Sequence, residues 1–142
     1  VDALIIGGGM ANTFLAAKGV DVGKSLCEHD LTPTAKQIMI EAANEGCAIV
    51  LPVDGLAAKE FAANAPHRVI ANEDIASDEM VLDVGPKSIE QANEWVGKAK
   101  TLVWNGPFGA FEIEPFDTAT VAVAQFAAKR TKAGELISVG GG

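Results

Sequence analysis

The chain has 142 residues, 49% of them hydrophobic, which is enough apolar material for the core of one domain. Its formal net charge of −8 argues against nucleic acid or an anionic membrane as partner, because both need a basic face. No run of eighteen apolar residues and no basic-then-apolar leader pattern is present, and Cys27 and Cys47 form no C-x-x-C pair, so we expect a cytoplasmic protein with reduced thiols.

The first element is the apolar run Ala3-Leu4-Ile5-Ile6, the signature of a buried parallel strand, and it leads into Gly7-Gly8-Gly9. Residues 10–18 read as a helix stopped by Gly19. Strand, glycine loop and helix together bring backbone N–H groups toward a ligand, which by itself points to phosphate. The fingerprint G-x-G-x-x-G is matched only in part, since Asn12 stands at the third glycine position, and a plain tight turn explains the glycines as well.

Thr32-Pro33 predicts a helix start, with the hydroxyl as cap and proline at the first position. Ala35, Ile38, Met39, Ala42 and Ala43 then recur on one face, and Gly46 ends the helix. Residues 47–51 form the next buried strand. The stretch 54–78 is mixed and polar, with a short helix expected over 57–63 and a minor strand over 67–70. Residues 80–84 are a clearer strand ending at Gly85-Pro86, and Ser88 with Gln91 reads as a capping box for a helix to about Lys98. Thr101-Leu102-Val103-Trp104 is a strand, Asp117 caps a long alanine-rich helix, and Lys129, Arg130 and Lys132 favour its C-terminal dipole before Gly134 stops it. Residues 136–139 form the last strand.

This rhythm predicts an α/β fold, a parallel sheet with helices on both faces in a Rossmann-like three-layer sandwich; it does not fix the strand order. Ligands in open α/β sheets bind at the carboxyl ends of strands. The four glycine-bearing loops at 7–9, 85–87, 105–107 and 140–142 should therefore gather at one rim. In the stretch Trp104-Asn105-Gly106-Pro107-Phe108-Gly109-Ala110-Phe111-Glu112, an aromatic followed by a carboxylate suits a nucleotide; local chemistry alone fits an ordinary strand-to-loop turn equally.

Taken in order, Leu4-Ile5-Ile6-Gly7-Gly8-Gly9-Met10-Ala11, Val22-Gly23-Lys24-Ser25-Leu26, Leu51-Pro52-Val53-Asp54, Leu82-Asp83-Val84-Gly85-Pro86-Lys87 and Trp104-Asn105-Gly106-Pro107 closely resemble phosphoglycerate kinases over essentially the whole chain. The resemblance is to the C-terminal, nucleotide-binding domain. It implies reversible phosphoryl transfer from 1,3-bisphosphoglycerate to ADP, giving 3-phosphoglycerate and ATP in glycolysis, with Mg²⁺ accompanying the nucleotide and a monomeric parent enzyme. It implies an adenine slot lined by Gly7, Gly8 and Gly85, in place of the phosphate role read from the residues alone. By the same resemblance Glu112 receives the ribose hydroxyls with Phe111 beside it, and Asn105, Gly106 and Pro107 run along the nucleotide toward its phosphates. Gly141 and Gly142 match the first half of a Gly-Gly-Asp-Thr loop whose aspartate, expected just beyond Gly142, holds the metal; no catalytic residue and no metal ligand is assigned within residues 1–142.

Departures from the family pattern are mostly omissions. The Asp-Thr half of that loop, the lysines before the first strand, and the N-terminal domain with its phosphoglycerate site and catalytic arginine are not in the chain, so both ends read as cuts through a larger protein. Gly55 replaces a usually aliphatic residue.

A second reading, a dinucleotide-binding domain of an oxidoreductase, rests on the partial fingerprint and would use Glu28 or Asp30 for the ribose, although neither follows a suitable strand. A non-catalytic interaction module is a third. Cys27-Glu28-His29 reads as a surface loop rather than a metal or thiol site. Glu73, Asp74, Asp78 and Glu79 read as a solvated acidic cluster, Trp95 and Trp104 as core, and Lys87 as exposed.

Overall fold

The computed structural model describes residues 1–141. Its elements are β1 (Ala3–Ile5), α1 (Gly8–Ala17), a 3-10 turn (His29–Leu31), α2 (Thr32–Asn44), β2 (Ala48–Val50), β3 (Asp54–Ala58), β4 (His67–Ala71), a second 3-10 turn (Asn72–Asp74), β5 (Met80–Val84), α3 (Pro86–Lys98), β6 (Thr101–Trp104), α4 (Thr118–Lys132) and β7 (Ile137–Gly140). Two ladders are parallel, β1 with β2 and β6 with β7. The layers are visible at β1. Ile6, at its end, packs with Ala11 and Phe14 of α1 and Ala35 of α2, while Ile5 joins the opposite cluster of Ala92 and Val96 from α3 and Val123 and Ala127 from α4. Helices therefore lie on both sides of the parallel strands, the α/β arrangement expected from the chain rhythm.

The segment between the two parallel pairs departs from that rhythm. Strands β4, β3 and β5 form a separate antiparallel sheet in that order, so β5 is not a further parallel strand. The short helix expected over 57–63 is absent, because Ala57 and Ala58 close β3, opposite Arg68 and His67 on one side and Val81 and Met80 on the other. The sequence Asp54-Gly55-Leu56-Ala57-Ala58 has no β-branched or aromatic residue, so burial between two neighbours overrides its weak strand propensity. Gly55 is needed there: a Cβ would stand 2.7 Å from Val81 Cγ1. The ladder shifts register between Leu56 and Ala57, which leaves Leu82 without a partner on β3. Its freed carbonyl instead accepts the Ala110 N–H at 2.8 Å.

Helix starts differ from the local caps read in the sequence. Ser88 lies inside α3, whose N-cap is Gly85, and the Ser88 hydroxyl donates to Asp54 Oδ1 at 2.6 Å, so there is no capping box with Gln91. Gln91 reaches toward the Leu51 carbonyl. The cap is supplied from β3: the Asp54 carboxylate accepts the Lys87 and Ser88 N–H groups, each at 2.9 Å. Asp117 stands at the N-cap of α4 but makes no side-chain capping bond. Asp83 of β5 does so, its Oδ2 accepting the Ala119 N–H at 3.0 Å while Oδ1 accepts the Val84 N–H at 2.9 Å. Thr32 opens α2 after an N-cap at Leu31 and donates to the His29 carbonyl rather than capping. The helix stops fare better, since Gly19, Gly46 and Gly134 each take a positive φ just past α1, α2 and α4.

Two outcomes follow. The Ser88 hydroxyl also accepts the Val53 and Asp54 N–H groups, so Ser88→Ala leaves the buried Asp54 N–H without this partner and should cost about 2 kcal/mol, read as a lower urea midpoint at constant m. Asp83 is 1% exposed, and burial pushes its carboxyl up to about 6 from 3.8 against the pull of the Ala119 and Val84 N–H groups, with Asp117 adding to the rise. The folded state thus holds this proton more tightly than the unfolded chain. Its contribution is present below pH 3.8 and lost as pH rises through about 6. Wild type should therefore lose stability relative to Asp83→Asn across that window in urea unfolding at stepped pH; a flat difference would refute this assignment.

Candidate functional site

A cleft of about 420 Å³ lies where the first turns of α1, strand β5 and the loop after β6 meet. Gly8, Asn12 and Leu15 of α1 form one wall with Leu26, the β5 residues 80–84 another, and residues 107–112 a third. Leu26, Phe61 and Phe111 line it while 78%, 57% and 57% exposed, so large apolar side chains stand in solvent around one concavity. Such a surface fits a flat, weakly polar ligand. Its charges are uneven. Lys24 is the one cation among the lining residues, against the carboxylates Asp54, Asp83 and Glu112.

The glycines divide into two kinds. A Cβ on Gly7 would strike Phe108, one on Gly9 would strike the Leu26 side chain, and one on Gly85 would collide with the Asp54 carboxylate. Gly7 and Gly85 are bare so that the protein can pack against itself, whereas the Leu26 side chain beside Gly9 is largely exposed and can move aside. Gly8 differs: it has φ +64° and opens α1, its N–H donates to the Phe108 carbonyl at 2.9 Å, and the nearest atom to an added Cβ is the Pro107 oxygen at 3.9 Å. Gly106, Gly140 and Gly141 face open space.

The expected site residues are placed as follows. Gly8, Pro107, Phe111 and Glu112 line the cleft together, with Gly7 in contact behind them through Phe108. Asn105 and Gly106 are exposed beyond the end of β6 and do not line it; they adjoin Gly140 and Gly141, and the Gly141 N–H donates to the Trp104 carbonyl at 3.0 Å. Gly85 is buried behind Asp54, so the cleft receives its neighbour Val84 instead. Gly142 lies outside the described residues. Three of the four glycine loops are thus joined by backbone hydrogen bonds or strand pairing, through Gly8 to Phe108 and Trp104 to Gly140 and Gly141, and the fourth reaches the cleft through Val84.

Sequence reasoning left Leu26, Phe61, Val81 and Lys24 without a role, yet all four line the cleft. Phe61 had no legible signal, because it follows the unrecognised strand β3. Of the acidic cluster, Glu73, Asp74 and Asp78 are exposed as expected, and Glu79 is not. Glu79 is buried, accepting from Arg68 Nε at 2.8 Å, and Arg68 holds its carboxyl below the usual range; Asp78 pairs with Lys59 at 3.0 Å. Glu28 and His29 are exposed and both cysteines are free. Trp104 packs in the α3/α4 core, and Lys98 stands 5.2 Å over the Trp95 ring. Among the described residues no group of three or more His, Cys, Asp or Glu side chains could hold a metal ion, and no helix is long and apolar enough to cross a membrane.

Comparison with known proteins places the family and the fold. A family model described as phosphoglycerate kinase matches residues 1–142. The chain is 70% identical over its full length to phosphoglycerate kinase of Mesorhizobium japonicum and 68% identical to that of Agrobacterium fabrum, spanning 36% of each. Among solved structures, phosphoglycerate kinase from Coxiella burnetii superposes with a TM-score of 0.94 at 43% identity, all of this chain covering 36% of that one. The enzyme from Pyrococcus horikoshii gives a TM-score of 0.75 at 30% identity over 90% of this chain and 33% of its own. With a match along every residue and a superposable fold, the chain belongs to the phosphoglycerate kinase family.

Proposed function

We propose that this chain is the C-terminal, nucleotide-binding part of a phosphoglycerate kinase, and that the cleft between Gly8 and Glu112 receives the adenine nucleotide. One observation carries the reading: an exposed aromatic, a carboxylate and an open helix N-terminus, supplied by Phe111, Glu112 and Gly8, meet at one apolar concavity. The base would lie among Leu26, Phe61 and Phe111, and Glu112 would accept hydrogen bonds from the ribose hydroxyls. Asn105, Gly106, Gly140 and Gly141 would border the phosphate tail, where the three glycines leave open space for it. Gly85 is better read as a structural glycine that admits the Asp54 carboxylate than as part of the slot.

The whole reaction would be the family's: phosphoryl transfer between 1,3-bisphosphoglycerate and ADP in a cytoplasmic, monomeric parent enzyme. The phosphoglycerate site belongs, by resemblance, to residues outside these 142. Mg²⁺ would arrive with the nucleotide, since the described residues do not offer a ligand set for it. Phosphoryl transfer depends on neutralising the moving charge, and one lysine against three carboxylates cannot do that. The dinucleotide alternative is weaker, because Gly7 is accounted for by Phe108 and the exposed Glu28 follows no strand end.

Calorimetric titration tests the reading. The chain should bind ADP weakly, with adenosine within a few-fold of it, and Glu112→Ala should weaken both about tenfold. Equal affinity of wild type and Glu112→Ala would remove the ribose role, and preference for NAD would favour the oxidoreductase reading. In a coupled assay with 1,3-bisphosphoglycerate and ADP, the 142-residue chain should form no ATP above background; sustained turnover would overturn the view that the catalytic cations lie elsewhere.

A further inference from the structure

We propose that Asp83 is a positioning residue for the nucleotide: its buried carboxylate is a wedge that sets how the loop bearing Phe111 and Glu112 stands over the cleft. The proposal rests on the nucleotide reading of that cleft. Asp83 is 1% exposed, pairs with Leu56 across the shifted register of β5, and touches three elements at once. It holds its own strand through the Val84 N–H and the first turn of α4 through the Ala119 N–H. It also supports the loop. Gly109 lies over the carboxylate so closely that a Cβ would stand 2.5 Å from Oδ1, and 2.7 Å from the Leu82 and Phe116 carbonyls. One residue on, the Ala110 N–H is tied to the Leu82 carbonyl at 2.8 Å, and the Phe111 N–H turns back to the Gly109 carbonyl at 2.8 Å. The chain from Gly109 to Glu112 is thus seated on the one backbone carbonyl freed by the register shift and on the one side chain beside it.

Nothing in the cleft's own chemistry requires a carboxylate at this depth, where Val or Leu would bury at lower cost. A carboxylate does what they cannot: it accepts two N–H donors from elements that diverge, β5 and α4, and so fixes the distance that residues 109–117 must span. Few charged groups act on it. Asp117, at the start of α4, raises its proton affinity; β3 presents Leu56 and Gly55, and the loop presents the Gly109 and Phe116 backbone. His67 lies one layer out, edge-on to Phe116 at 5.4 Å.

Asp83→Asn preserves shape but turns an N–H donor toward the Val84 or Ala119 N–H. Amide hydrogen exchange of the ligand-free chain and ADP titration form the test. We expect exchange at Ala110, Phe111 and Ala119 to quicken about tenfold with β1 and β2 unchanged, and ADP affinity to fall about tenfold. Uniformly faster exchange throughout would make Asp83 a general stabilising residue and overturn the proposal, as would localised loosening with unchanged ADP affinity. Localised loosening in a chain whose wild type binds no ADP would support the seating of the loop and overturn the nucleotide reading instead. Should Asp83→Asn fail to fold, amide shifts of residues 110–112 can be followed by NMR in His67→Gln, which removes the nearby imidazole. A pH-dependent shift of residues 110–112 that runs in step with the Val84 and Ala119 amides supports the wedge, and residues 110–112 unmoved while Val84 and Ala119 titrate overturn it.

Discussion

Two buried carboxylates reaching from strands to helix N-termini hold this domain together around its cleft. The first turns of α3 and α4 receive no capping bond from their own N-cap residues, and a helix end with unpaired N–H groups is costly inside a protein. Asp54 of β3 closes α3, and Asp83 of β5 closes α4. Both strands belong to the antiparallel sheet, whereas both helices cover the parallel strands. These contacts are therefore the joints between the two sheet systems, and the cleft opens beside them with both aspartates among its lining residues. Each carboxylate meets the positive end of a helix, which offsets part of the cost of burying charge.

The same joints explain why so much bare backbone collects here. Gly85 makes room for Asp54, Gly109 for Asp83 and Gly7 for Phe108. A concentration of glycine at strand ends is commonly read as a ligand surface, yet three of these glycines are filled by the protein itself. Those that face open space, Gly8, Gly106, Gly140 and Gly141, lie along one path from the helix α1 start to the ends of β6 and β7. Packing comes first: the Gly8 and Gly141 N–H groups are themselves spent on the Phe108 and Trp104 carbonyls, so what remains for a ligand is space beside bare backbone.

Much of the fold was legible because its signals are local. Strand β5 coincides with the expected residues 80–84, and α3 ends at Lys98 as read. Continuous apolar runs named the parallel strands, and left-handed glycines ended three helices. The candidate cleft was legible in part: Gly8, Pro107, Phe111 and Glu112 line it together, while Gly85 turned inward and Leu26, Phe61, Val81 and Lys24 joined it without having been assigned a role. Strand β3 was missed because small residues chosen for close packing look like helix formers when their neighbours are unknown. Ser88 and Glu79 were misread for a related reason, since each bonds a residue far along the chain, Asp54 and Arg68.

The amino-acid sequence by itself determined the α/β rhythm, the helix stops and the family, because these depend on periodicity, on backbone permissiveness at single positions and on ordered motifs along the chain. Only the tertiary structure decided which glycines stay open, which side chains cap the helices and which apolar residues ring the cleft. Those outcomes depend on which distant atom arrives to fill a space or accept a proton, and that is a property of packing between elements rather than of any one segment.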